Sequence, residues 1–93
     1  LLLESKGKVN NTMIVFQSDH GLEGKFSLYE DGIQIMQFIH YPNEFPDGST
    51  YHGLVATIDV TPTLVDFAGI NATSPGWYDM DGMSWRLLPQ DLD

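Results

Sequence analysis

The sequence predicts an α/β fold, and three stretches of it carry the prediction. Thr12-Met-Ile-Val-Phe-Gln-Ser18 is β-branched and almost continuously apolar. Such a run reads as a strand buried on both faces, as in the parallel sheet of an α/β protein. Ile33-Gln-Ile-Met-Gln-Phe-Ile-His-Tyr41 is the second strand candidate, closed by Pro42. Between residues 57 and 61 a short helix begins. Pro62 is tolerated in its first turn, Leu64, Val65 and Ala68 mark its apolar face, and Gly69 ends it.

The other elements follow in chain order. Leu1 to Ser5 read as the tail of a helix, with Gly7 suited to its C-terminal turn. Residues 42–50, Pro-Asn-Glu-Phe-Pro-Asp-Gly-Ser-Thr, are rich in turn formers and predict an exposed loop. Residues 76–88 read mostly as loop, with Trp77, Tyr78 and Trp85 as packing anchors at the surface. There is no internal repeat, low-complexity tract or linker, so residues 1–93 are expected to form a single partial domain.

Composition narrows the function. Four cationic side chains (Lys6, Lys8, Lys25, Arg86) stand against thirteen carboxylates, for a net charge of −9. A nucleic-acid binder needs a basic stripe to neutralise phosphates, and an anionic membrane surface would repel this chain. Neither partner is expected. With no cysteine there is no disulfide, thiolate cluster or thiol nucleophile. An apolar content of 42%, with 12% aromatic, is that of a core-forming sequence. At 93 residues the chain has little material for a deep cleft. It opens Leu-Leu-Leu-Glu without Met, a run too short for a signal peptide or membrane span, so a soluble chain with a non-natural start is expected.

The sharpest chemical feature is Asp19-His20-Gly21, directly after the first strand. Ligands in open α/β sheets bind just beyond the carboxyl ends of strands. A carboxylate and an imidazole there can ligate one divalent cation once the chain turns at Gly21, although Asp and Gly are also ordinary turn residues. Oxygen with nitrogen suits calcium, manganese or zinc, and ~4 to 8 ligands are needed, so the rest must come from elsewhere. Gly24-Lys25 follows, and a cation beside a metal turn can hold an anionic substrate and offset charge in the transition state. A phosphate-binding loop fails, because Asp19 and Phe26 stand where Gly and Ser or Thr are required. Asp79-Met-Asp81-Gly82 fails as a calcium loop, since Trp77 and Leu88 would occupy its end positions, and reads as a turn. His40 and His52 have no third ligand near them and read as structural or exposed. Asn10-Asn11-Thr12 and Asn71-Ala72-Thr73 match the glycosylation sequon and permit a secretory location without showing one.

In this order the pieces resemble the sulfatase family of the alkaline-phosphatase-like superfamily. Asn11-Thr-Met-Ile-Val-Phe-Gln-Ser-Asp-His-Gly21 is similar to the family's strand and Asp-His-Gly or Asp-Asn-Gly turn. Gly24-Lys25-Phe-Ser-Leu-Tyr29-Glu30-Asp-Gly32-Ile33 resembles its Gly-Lys-x-x-x-x-Glu-x-Gly-Ile/Val segment. Ile58-Asp59-Val60-Thr-Pro62-Thr63-Leu64-Val65-Asp66-Phe67-Ala68-Gly69-Ile70 is close to its Ile-Asp-Leu-x-Pro-Thr-Leu-Leu-Asp-Leu-Ala-Gly-Ile helix, and Asp81-Gly82-Met83-Ser84-Trp85 to its Asp-Gly-x-Ser-Leu close.

The resemblance implies a segment from the later part of a sulfuric ester hydrolase. In that family a hydrated formylglycine, made from Cys or Ser, attacks sulfur beside a divalent cation, usually calcium. Carried over by position, Asp19 and His20 would be metal ligands and Lys25 would contact the sulfate, while Glu30 and Asp59 are expected to be structural. The departures are definite. The family's N-terminal acidic pair has no counterpart, Glu30-Asp31 being downstream of the turn, and the Cys/Ser-x-Pro/Ala-x-Arg nucleophile motif is missing. The nucleophile is therefore expected upstream, and these residues alone are expected to be inactive. The interval from His20 to Lys25 is shorter than in many members, which bears on specificity. His20 stands where many sulfatases have Asn, which leaves a phosphodiesterase or phosphonate ester hydrolase of the same superfamily as an alternative. A degenerate, non-catalytic binding domain is the other.

Overall fold

The computed structural model describes residues 2–22, 25–71 and 79–93. Gly24, Trp77, Tyr78 and the Ala72-Thr73 part of the second sequon lie outside the described residues, so the expectations placed on them have no structural counterpart. The chain divides into two compact units, Leu1–Asp47 and Gly48–Asp93.

The first unit opens with α1 (Leu2–Ser5), a single turn. Gly7 sits at φ 64°, and its N–H donates to the Glu4 carbonyl (2.9 Å) while that of Lys8 reaches Leu3 (2.9 Å). This is the left-handed glycine stop that the sequence signalled, with both orphaned carbonyls satisfied. A 3-10 turn (Val9–Asn11) leads into β1 (Ile14–Gln17). A second helical turn, α2 (Glu30–Ile33), precedes β2 (Gln37–His40).

The strand pair corrects two expectations. β1 and β2 run antiparallel, with Ile14 opposite His40, Val15 opposite Ile39, Phe16 opposite Phe38 and Gln17 opposite Gln37. Among the described residues the pair forms a two-stranded sheet, with α2 leading into β2. β1 is also not buried on both faces within them. Val15 and Ile39 share a partly covered face, while Ile14, Phe16 and Phe38 stay exposed, with Phe16 and Phe38 stacked at 4.8 Å between centroids. The second strand is shorter than read, because Ile33 belongs to α2. The 42–50 loop is not wholly exposed either. Its turn is closed by the N–H groups of Glu44 and Phe45 donating to the Tyr41 carbonyl, and Phe45 is buried.

The second unit is built on α3 (Val60–Phe67), entered through a 3-10 turn (Thr57–Asp59). Pro62 lies in the first turn, where its missing N–H costs no hydrogen bond. Gly69, at φ 71°, ends the helix, with its N–H on Asp66 (3.0 Å) and that of Ile70 on Val65 (3.1 Å), the same closure as at α1. The expected apolar face is only partly the buried one. Leu64 and Ala68 are exposed and Val65 is half-buried, whereas Thr63 is completely buried.

The reason is the segment that packs there. Residues 83–86 lead into a 3-10 helix (Trp85–Asp91) and present backbone donors to the polar stripe of α3. The Asp59 carboxylate accepts the N–H groups of Ala56 (2.9 Å) and Met83 (2.9 Å) and, more weakly, Trp85 Nε1 (3.4 Å). Thr63 Oγ1 donates to the Asp59 carbonyl (2.6 Å) and accepts from the Trp85 N–H (3.0 Å). Asp66 accepts from Ser84 Oγ (2.6 Å) and pairs with Arg86 Nε (3.1 Å), and the guanidinium lies 4.3 Å from the Phe67 ring centroid. Trp85 is thus a buried core residue of this unit, not a surface anchor. Asp59 has the structural role expected of it.

Candidate functional site

The Asp19-His20-Gly21 turn stands where the sequence put it, at the carboxyl end of β1. Two backbone hydrogen bonds and one side-chain bond fix it. Ser18 N–H donates to the Met36 carbonyl (3.0 Å), and Ser18 Oγ accepts from the Met36 N–H (3.1 Å), so the strand end is stitched to the residue entering β2. Gly21 N–H then donates to the Gly32 carbonyl in α2 (2.9 Å). Gly21 is buried, and a Cβ at this position would meet the Asp31 carbonyl. Glycine is required here for close approach, not for an unusual dihedral. Glu30 lies in the first turn of α2, exposed.

His20 is held by its own backbone. Its Nδ1 lies 2.6 Å from the Gly21 carbonyl oxygen, which can only accept, so Nδ1 carries the proton. Nε2 lies 3.6 Å from Asp19 Oδ1 and offers a lone pair whenever it carries no proton. The Asp19 side chain is 83% exposed and that of His20 37%. A carboxylate and an imidazole nitrogen therefore face one another at the surface. Their separation suits two adjacent ligands of one cation, which lie at ~2.0–2.6 Å from the ion. Among the described residues no group of three or more His, Cys, Asp or Glu gathers to complete such a shell.

Lys25 is exposed, and its Nζ lies 5.7 Å from the Phe26 ring centroid. His40 is exposed on β2 opposite Ile14, at the end of β1 away from the turn, and His52 pairs with Asp93 (3.0 Å) in the second unit. The anchors on Gly32 and Met36 escaped the sequence reading. Only the small residue at Gly32 hints at them, and nothing local pairs it with Gly21.

The class of fold is α/β, part of an alkaline-phosphatase-like domain. The structure superimposes on that of BT4656 in complex with its substrate D-glucosamine-2-N,6-O-disulfate with a TM-score of 0.82 and 31% identity, over 96% of this chain and 19% of that one. The Sulfatase family model matches residues 2–70. The chain belongs to the sulfatase family. It is 40% identical over 95 residues to the N-acetylglucosamine-6-sulfatase of Homo sapiens, covering 94% of this chain and 16% of that protein. It is 33% identical over 84 residues to an ulvan-active sulfatase of Formosa agariphila, covering 90% and 16%. An N-acetylglucosamine-6-O-sulfatase of Bacteroides thetaiotaomicron is 35% identical over 91 residues, again with 90% and 16% covered. The chain thus spans about one-sixth of the length of these curated relatives.

Proposed function

We propose that the protein hydrolyses a sulfate ester of a sugar, with Asp19 and His20 as two ligands of a divalent cation and Lys25 as a contact to the sulfate. The observation that supports this is the contact of His20 Nδ1 with the Gly21 carbonyl, which orients the ring so that Nε2 faces Asp19. Imidazoles that bind metals are held in this way by a carbonyl or carboxylate on the other nitrogen. The donor set of one carboxylate and one imidazole fits calcium or manganese, and zinc as well. The chemistry such an ion supplies when bound is Lewis-acid polarisation of the sulfate oxygens. Lys25 offsets the remaining charge of the anion in a chain that otherwise repels it.

These residues would bind and orient; they would not attack. The chain holds neither cysteine nor the Cys/Ser-x-Pro/Ala-x-Arg motif, so the reading assigns the formylglycine nucleophile and the other ligands to the remainder of a larger catalytic domain. The names of the relatives make N-acetylglucosamine 6-sulfate the first substrate to assay.

The test uses the full-length protein. Calorimetric titration with calcium and with manganese is expected to show binding that weakens on the order of tenfold or more in Asp19→Ala and His20→Ala. The sulfate ester is expected to turn over faster than N-acetylglucosamine 6-phosphate. Binding unchanged by Asp19→Ala would favour a non-catalytic domain, and preference for the phosphate would favour a phosphoric ester hydrolase.

A further inference from the structure

Phe26 holds φ at 69°, alone in the left-handed region among the described non-glycine residues. A Cβ crowds the neighbouring carbonyl in that conformation, so an aromatic residue keeps it only where something compensates. Backbone outliers of this kind are a starting point for a functional hypothesis. Packing within these residues does not compensate, because Phe26 is 96% exposed. The contact it does make is with its neighbour. Lys25 Nζ lies over the ring at 5.7 Å from the centroid, within the range of a cation–ring attraction.

The two facts are connected. Adjacent side chains in extended backbone point to opposite sides. A left-handed residue breaks that alternation, which lets the ring of Phe26 lie beneath the ammonium of Lys25. Lysine is otherwise a point charge on a flexible four-carbon stem. The negative face of the ring restricts where that charge can sit while leaving its outer side open. Among the described residues no carboxylate pairs with Lys25; Asp66 pairs with Arg86, and Asp19 and Asp93 face the rings of His20 and His52.

We propose that Phe26 is a positioning residue for Lys25, its left-handed backbone and ring holding the ammonium in place for an anion. The inference rests on the reading of Lys25 as the sulfate contact. It assigns Phe26 an effect on ground-state binding of the anion and none on the chemical step.

The experiment is a double-mutant cycle in the full-length protein. It compares Phe26→Leu, Phe26→Tyr, Phe26→Gly, Lys25→Ala and the Lys25→Ala/Phe26→Leu pair. The readouts are KM and kcat for N-acetylglucosamine 6-sulfate, inhibition by inorganic sulfate, and melting temperature. Phe26→Leu is expected to raise KM and the inhibition constant of inorganic sulfate roughly two- to five-fold, the loss expected of an exposed cation–ring contact, with kcat unchanged. Phe26→Tyr keeps the ring and restores both. Phe26→Gly matches the binding loss of Phe26→Leu yet melts at or above the wild-type temperature, since glycine accepts this φ freely. In the Lys25→Ala background Phe26→Leu adds nothing.

An unchanged KM in Phe26→Leu while Lys25→Ala is costly overturns the role of Phe26 and leaves the sulfate-contact reading standing. A silent Lys25→Ala overturns both. Equal losses from Phe26→Leu with and without Lys25, or a lowered melting temperature in Phe26→Gly, would make the ring an independent packing group and also overturn it.

Discussion

Thr63 is a polar side chain with no exposed surface, and its hydroxyl is used twice, as donor to the Asp59 carbonyl and acceptor from the Trp85 N–H. Replacing it by valine keeps the shape and strands a buried N–H, which costs about 1–3 kcal/mol. In the full-length protein Thr63→Val is therefore expected to lower the unfolding midpoint in urea, and Thr63→Ser to lose less because the hydroxyl survives. Asp59 and Asp66 give the same cluster a pH dependence. Burial pushes the Asp59 carboxyl up, but the N–H groups of Met83, Ala56 and Trp85 together hold it below its ordinary 3.8. The Ser84 hydroxyl, against some desolvation, and then Arg86 hold Asp66 below the same value. A carboxyl depressed in the folded state contributes stability that is complete above its unfolded value and is lost as pH falls through the folded one. Stability is thus expected to be flat from neutral pH to just above 4 and to decline below 3.8, with the decline shallower in Asp59→Asn and Asp66→Asn. Denaturant titrations across that window check it, and an unaltered slope in both variants would remove the two carboxylates from the account.

At the scale of elements, Asp59, Thr63 and Asp66 are spaced four and three residues apart, so one stripe along α3 reads the consecutive residues Met83, Ser84, Trp85 and Arg86. Gly82 lets that segment approach, since a Cβ there would meet the Ile58 carbonyl. Gly82→Ala is expected to destabilise by about 1–3 kcal/mol, measured by chemical unfolding of the full-length protein. Gly21 plays the corresponding part at the candidate site. Gly21→Ala is expected to push the Asp-His turn off α2 and so to weaken the proposed calcium binding, although it removes neither proposed ligand. Titration of the full-length variant with calcium tests this, and wild-type affinity would refute it. What the sequence made legible follows the same division. Helix ends at Gly7 and Gly69 were readable because a glycine after a periodic run is a local signal. The Asp19-His20-Gly21 turn was readable because it directly follows an apolar run. Pairing direction, the burial of Thr63 and Phe45, and the Gly21–Gly32 contact depend on partners distant in sequence, and local periodicity is blind to those. The continuous apolar run at residues 13–16 signalled two buried faces, but these 93 residues cover only part of one.

For the molecule as a whole, the balance between covered and uncovered apolar surface decides what the chain can do alone. Among the described residues Phe45 and Trp85 are the buried apolar side chains, while Phe16 and Phe38 stack at 52% and 56% exposure beside an exposed Ile14. A short chain already buries a modest fraction of its surface, and a two-stranded sheet with an uncovered aromatic face and open edges is marginal in water. The net charge of −9 opposes self-association by repulsion but covers none of that face. Expressed as these 93 residues, the protein is expected to unfold without a cooperative transition or to aggregate, and to bind a dye that reports exposed apolar surface. The same segment within the full-length protein is expected to do neither. On the proposed function catalysis would divide the same way, because Asp19 and His20 would supply two donors where ~4 to 8 are needed and the chain holds no nucleophile motif. No hydrolysis of N-acetylglucosamine 6-sulfate is therefore expected from the isolated chain at any calcium concentration, against the turnover proposed for the full-length protein. Turnover by the isolated chain that is abolished by Asp19→Ala would place a complete site within these residues and overturn that division.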